Sequence, residues 1–195
     1  MPHEKDLDEA LAQAAQDGHF DEVQRLVGLG ADINHGHRPS FLGAYFNGHK
    51  DIVRYLLEQG GEVNHDRHSE VTLLMAAVNQ EDIGFAEYLI SVGAEINLGM
   101  PRGGETALHK AAVNNKCLSM KMLLERGGQV NRRAKESGRS EMAVFGELWG
   151  ETPLHIAAVR AAADGGADAE LCGALGAASG ARGEGGTRRR QPVRG

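Results

Sequence analysis

A short phrase recurs five times along this chain, and that recurrence constrains its fold more than any other feature. It is clearest at Thr106-Ala107-Leu108-His109-Lys110-Ala111-Ala112 and at Thr152-Pro153-Leu154-His155-Ile156-Ala157-Ala158. Looser copies read Thr72-Leu73-Leu74-Met75-Ala76-Ala77, Pro39-Ser40-Phe41-Leu42-Gly43-Ala44 and Glu9-Ala10-Leu11-Ala12-Gln13-Ala14-Ala15. Four copies run on into a second phrase: Gly30-Ala31-Asp32-Ile33-Asn34, Gly60-Gly61-Glu62-Val63-Asn64, Gly93-Ala94-Glu95-Ile96-Asn97 and Gly127-Gly128-Gln129-Val130-Asn131. The first phrase starts at positions 9, 39, 72, 106 and 152, at intervals of 30, 33, 34 and 46. A period of this size signals stacked supersecondary units rather than one closed globule.

Within a period the pattern predicts two short helices and a turn. Phe41, Ala44 and Tyr45 mark an inner helix, Gly48-His49 breaks it, and Ile52, Val53, Leu56 and Leu57 give an outer helix its apolar stripe. The stripe returns as Val23, Leu26 and Val27, as Phe85, Tyr88, Leu89 and Ile90, and as Met120, Leu123 and Leu124. Gly30, Gly60, Gly93 and Gly127 follow the outer helices, where a residue tolerant of left-handed backbone stops a helix. Threonine at the start of an inner helix can cap it, and Pro153 suits the first helical position. Two short helices leave one face open, so each unit must bury its stripe against a neighbour.

A period near 33 carrying Thr-Pro-Leu-His resembles the ankyrin repeat, over roughly residues 5 to 160. The resemblance implies an all-α repeat solenoid of stacked helix-turn-helix units with hairpin fingers. Residues 1–131 then make four units, the first a cap whose Asp6-Leu7-Asp8-Glu9 supplies an N-cap and an acidic first turn. Gln13, Gln16 and Asp17 keep that helix wet. Residues 132–148 form an insertion that enlarges the next finger, and 149–179 a fifth, incomplete or degraded unit. In the fifth unit the expected Gly-His break does not arrive, although Leu171, Cys172 and Leu175 suggest a remnant outer helix from about Asp168 to Ala178. The Gly/Arg-rich segment 180–195 has nothing to bury and is expected to be disordered. Loss of pattern in mid-repeat suggests a shortened isoform or a gene end read in another frame.

The same residues offer little to catalysis. Gly43 to Gly48 before His49-Lys50 echoes a phosphate loop but lacks Gly-Lys-Ser/Thr and falls inside a helix. His35, His37, His65 and His68 crowd the first two fingers, where a shared metal competes with plain solvated histidines, and the latter is preferred. His109 and His155 match the family's structural histidine, which the resemblance assigns to hydrogen bonding between units. Cys117, beside Leu118 at the start of an outer helix, is expected to be a buried, inert thiol. Arg188-Arg189-Arg190 could be an import signal, and a solvated tail is the plainer account. No cofactor, metal or small-molecule substrate is expected. The net charge of -6 argues against nucleic acid as the main partner. No stretch approaches ~18 uninterrupted apolar residues, so no membrane span is expected. With only two cysteines and no basic, apolar leader, the chain is assigned to the cytoplasm, or to the nucleus.

Resemblance to ankyrin proteins implies that a partner protein or peptide lies across the finger tips and the exposed side of the inner helices. Carried onto this chain, the finger positions include His35 and Arg38, His68 and Val71, Arg102 and Glu105, and Trp149. The inner-helix positions include Phe46 and Asn47, Asn79 and Gln80, Val113 and Asn114, and Val159 and Arg160. Phe46, Val113, Trp149 and Val159 would be apolar anchors among amides and charges. Asn34, Asn64, Asn97 and Asn131 match the finger asparagine that an oxygen-dependent hydroxylase modifies in some ankyrin proteins. The expected function is a monomeric, non-enzymatic protein-binding module. The alternative is the recognition segment of a larger enzyme or ubiquitin-ligase adaptor.

Overall fold

The structure is a computed structural model that describes residues 4–35, 40–64, 71–100, 104–134 and 152–163. Among these run nine helices and no strand: α1 Glu4–Asp17, α2 Phe20–Gly28, α3 Ser40–Phe46, α4 Lys50–Glu58, α5 Leu73–Asn79, α6 Ile83–Ser91, α7 Ala107–Val113, α8 Cys117–Glu125 and α9 Pro153–Ala163. Each odd-numbered helix through α7 packs on the even helix that follows it and on the next odd helix. The odd helices therefore form an inner row and the even ones an outer row, as a solenoid requires.

The core is a continuous strip between the rows. Leu11, Phe41, Tyr45, Leu73, Met75 and Leu108 enter it from the inner row, and Leu26, Ile52, Leu56, Leu89, Met120 and Leu123 from the outer. Burying one such side chain contributes about 1.5–3 kcal/mol. The outer stripes are narrower than the sequence suggested. Val27, Leu57, Tyr88, Ile90 and Leu124 are only half buried, while Ala86 and Met122 go fully inside.

Threonine opens the inner helices from α5 onward. Thr72 Oγ1 accepts from Met75 N at 3.2 Å. At Thr106 the backbone N–H donates to His109 Nδ1 at 3.1 Å, and Oγ1 lies 2.9 Å from the same nitrogen. Since Nδ1 is an acceptor there, the proton of a neutral His109 sits on Nε2. Thr152 Oγ1 meets His155 Nδ1 at 2.8 Å in the same way. The expected cap at Asp6 is overturned, because α1 begins at Glu4 and Asp6 lies within its first turn.

Gly30, Gly60, Gly93 and Gly127 all take positive φ after the outer helices. The turn from inner to outer helix also needs left-handed backbone, which Gly18 and Gly48 supply in the first two pairs. Glu81 (φ 58°) and Asn115 (φ 53°) hold that place in the next two. A non-glycine residue there stores strain. Glu81 draws a return from its position, since its Oε1 accepts from Leu118 N at 3.2 Å. That bond caps α8, whose own preceding residue, Lys116, gives no side-chain cap.

Candidate interaction surface

The loops after the outer helices are tied together by one residue type. Asn34 Nδ2 donates to Gly60 O at 3.3 Å, and its Oδ1 accepts from Glu62 N at 2.8 Å. Asn64 repeats both bonds with Gly93 O and Glu95 N, and Asn97 with Gly127 O and Gln129 N. An amide suits this place because it gives one hydrogen bond and takes another. The corresponding N–H of the first loop, on Asp32, is met by Asp8 of α1, whose Oδ1 lies at 2.7 Å. Asp8 is only 9% exposed, and its other oxygen stands 3.2 Å from His35 Nδ1. The asparagines that match the hydroxylase site thus include three already engaged at both ends of the amide.

Between the second and third helix pairs the joint is aromatic and ionic. The buried Tyr45 ring stacks on Phe85 with centroids 5.1 Å apart, and its hydroxyl donates to Asp82 Oδ2 at 3.4 Å. The same carboxylate oxygen pairs with the Lys50 ammonium. Oδ1 caps α6 by accepting from Phe85 N at 3.3 Å. Burial pushes the Asp82 carboxyl up, but Lys50, the Phe85 N–H and the Tyr45 hydroxyl together hold it below its ordinary value. Burial, reinforced by Asp82, pushes the Tyr45 hydroxyl far above its ordinary value. On the outer row, Arg54 lies over the Tyr88 ring at 4.9 Å.

The next joint has no aromatic stack among the described residues and relies on hydrogen bonds, some neutral and some charged. Ser119 Oγ, fully buried, donates to Val78 O at 3.0 Å, and Asn114 Nδ2 donates to Asn79 Oδ1 at 2.7 Å. Arg132 Nη1 reaches Asn97 O at 2.6 Å. Arg126 of its outer row pairs with Glu87 at 2.7 Å, near the surface.

The sequence-derived positions at the ends of the inner helices and in the loops differ in exposure and in partners. Phe46 is 55% exposed and touches the Tyr45 ring edge-on at 6.0 Å, while Gln80 is exposed beside Asn79. Asn47, Asn79 and Asn114 are exposed but committed to neighbours: Asn47 Nδ2 donates to Gln16 O at 2.8 Å. Val113 and Val71 are half buried against the core, so as anchors they are weaker than Phe46. Glu105 pairs with Lys110 at 2.9 Å, and its carbonyl closes the third finger by accepting from Met100 N. Arg38, His68, Arg102 and Trp149 lie outside the described residues, as do the side chains of Val159 and Arg160. So do the predicted insertion beyond residue 134, the remnant outer helix and the tail.

His35 is held by a carboxylate, and His37, His65 and His68 lie outside the described residues. Among the described residues no three His, Cys, Asp or Glu side chains come close enough to hold a metal ion. Cys117 is corrected from buried to partly exposed, with Sγ 3.7 Å from Asn115 Oδ1. Its neighbour Leu118 is the most exposed large apolar side chain described. Neither the Asp8 bond nor the Lys50–Asp82–Tyr45 cluster was foreseen. The first joins the opening helix to the loop that ends its own helix pair, and the second joins residues of two neighbouring pairs, so only tertiary packing brings either set together.

No helix among the described residues is long and apolar enough to cross a membrane. No curated protein matches this chain. The family model for ankyrin repeats, a description of three copies, matches residues 2–67, 41–134 and 74–165. With paired helices, an asparagine-linked loop row and that match over most of its length, this chain belongs to the ankyrin-repeat family.

Proposed function

We propose that the ends of the inner helices line a furrow in which this chain holds an extended segment of a partner protein, and that it performs no chemistry on it. Ankyrin repeats in general are protein–protein interaction modules, which supplies the class. Phe46 carries the reading: an aromatic ring more than half exposed at the end of an inner helix, next to Asn47 in sequence. Exposed aromatic anchors dominate many interfaces. The bonds of Asn47 to Gln16 and of Asn114 to Asn79 fix the furrow wall before a partner arrives, which lowers the ordering cost of binding. The partition into four units, an insertion and an incomplete fifth unit belongs to the same proposal, as does a cytoplasmic or nuclear setting.

The test is capture of partner proteins by the intact chain and by Phe46→Ala, with Trp149→Ala in parallel. Phe46→Ala is expected to weaken capture by about 1–2 kcal/mol while helical circular dichroism stays unchanged. Equal capture by parent and both variants would remove the furrow from consideration.

A further inference from the structure

Among the described residues, one position on the furrow combines a chemically labile pair with a structural bond that its reaction would destroy. Asn47 is followed by Gly48, and asparagine before glycine is the dipeptide most prone to lose its amide without an enzyme. Glycine lacks the Cβ that would shield its own nitrogen, so that nitrogen can approach the preceding side chain. Asn47 is also exposed to the water that the reaction consumes.

The fold supplies an internal comparison. The same turn reads Gln80-Glu81 in the third helix pair and Asn114-Asn115 in the fourth, each with a side chain on the second residue. Asn114 is as exposed as Asn47 but lacks the following glycine. Asn34, Asn64 and Asn97 are half buried and bonded at both ends of the amide. Asn47 is therefore set apart by its neighbour, its exposure and its place.

In the closed fold both reacting groups are occupied. Gly48 N donates to Tyr45 O at 3.0 Å, and Asn47 Nδ2 donates to Gln16 O of the preceding helix pair at 2.8 Å. Attack on the side chain requires both bonds to open together, and the second is part of the α1–α3 joint.

We propose that Asn47 is a spontaneous deamidation site gated by the joint between the first two helix pairs, and that its product prevents the joint from closing again. The Gly48 amide nitrogen attacks Asn47 Cγ, the new N–Cγ bond replaces the Cγ–Nδ2 bond, and ammonia leaves carrying the Gly48 proton. Water then opens the cyclic imide at either carbonyl, giving aspartate or the backbone-lengthened iso-aspartate. No oxidant or reductant takes part. Neither product has the N–H that Gln16 O accepts, and each sets a carboxylate against that carbonyl, next to Asp17 in sequence. Iso-aspartate also adds a methylene to the turn where Gly48 holds φ at 90° and His49 N reaches Ala44 O at 2.9 Å. The furrow beside Phe46 thereby gains a negative charge and loses a fixed wall.

The experiment ages the folded chain for weeks at mildly alkaline pH, then digests it and weighs the peptides. The Asn47 peptide is expected to gain one mass unit while the Asn114-Asn115 peptide does not. Unfolding in urea should accelerate the Asn47 reaction about tenfold or more, and Leu11→Ala, which loosens α1, should accelerate it in the folded state. The aged, modified fraction and Asn47→Asp should both melt below the parent. Conversion of Asn47 no faster than Asn114, equal rates with and without urea, or an unchanged melting temperature after modification would each overturn the proposal.

Discussion

The joint between the second and third helix pairs and the joint between the third and fourth share one helix arrangement but differ in what is buried at the seam: a ring stack with a carboxylate in one, a hydroxyl in the other. The first is closed by the Tyr45–Phe85 stack and the Asp82 carboxylate with its lysine and tyrosine. The second is closed by Ser119 on a backbone carbonyl, an amide pair and the Glu81 cap on α8. Stacking asks only that each inner helix present small residues and each interface be satisfied, so neighbouring joints can differ freely. The consequence is that they should fail under different conditions.

Four substitutions would separate them. Tyr45→Ala removes a fully buried ring from the second–third joint and should destabilise the chain by about 3–5 kcal/mol, read by urea unfolding. A smaller loss than that of any other core truncation would mean the stack matters less than its burial suggests. Next in size, Asn97→Ala deletes both loop bonds between the third and fourth pairs and should cost about 1–3 kcal/mol. Asn64→Ala should match it, and a large difference would show that the loop row is not uniform. The smallest effect is on pH dependence. Asp82 is held below its ordinary value in the fold, so its contribution is complete above the ordinary carboxylate pKa and disappears as pH falls through the lower, folded value. Asp82→Asn should flatten that part of the acid stability curve. An unaltered acid limb would show that the Lys50 pair is not what acid breaks.

Whatever recurs in register could be read from the sequence. The period, the glycines at positive φ, the threonine caps and the buried faces of Tyr45 and Leu108 all follow from local pattern repeated at one interval. What could not be read lies between units. Asn47, Asn79 and Asn114, read as binding positions, also bond across units, and those bonds were not legible because the partner of each sits about a full period away. Val113 looked like an exposed anchor because helical spacing fixes a direction but not how closely the next helix approaches. Asp8 belongs to neither recurring phrase, and its role emerges only when α1 lies beside the first loop.

An asparagine in the loop row is a two-way coupler, whereas Asp8, as a carboxylate, couples one way, receiving the Asp32 N–H and offering no hydrogen back. The helix pairs are for that reason not interchangeable parts. Moving the first pair to an internal station would bring a second acceptor to a seat already filled from its own helix. The row thus carries a sense of order, written in the difference between one nitrogen and one oxygen.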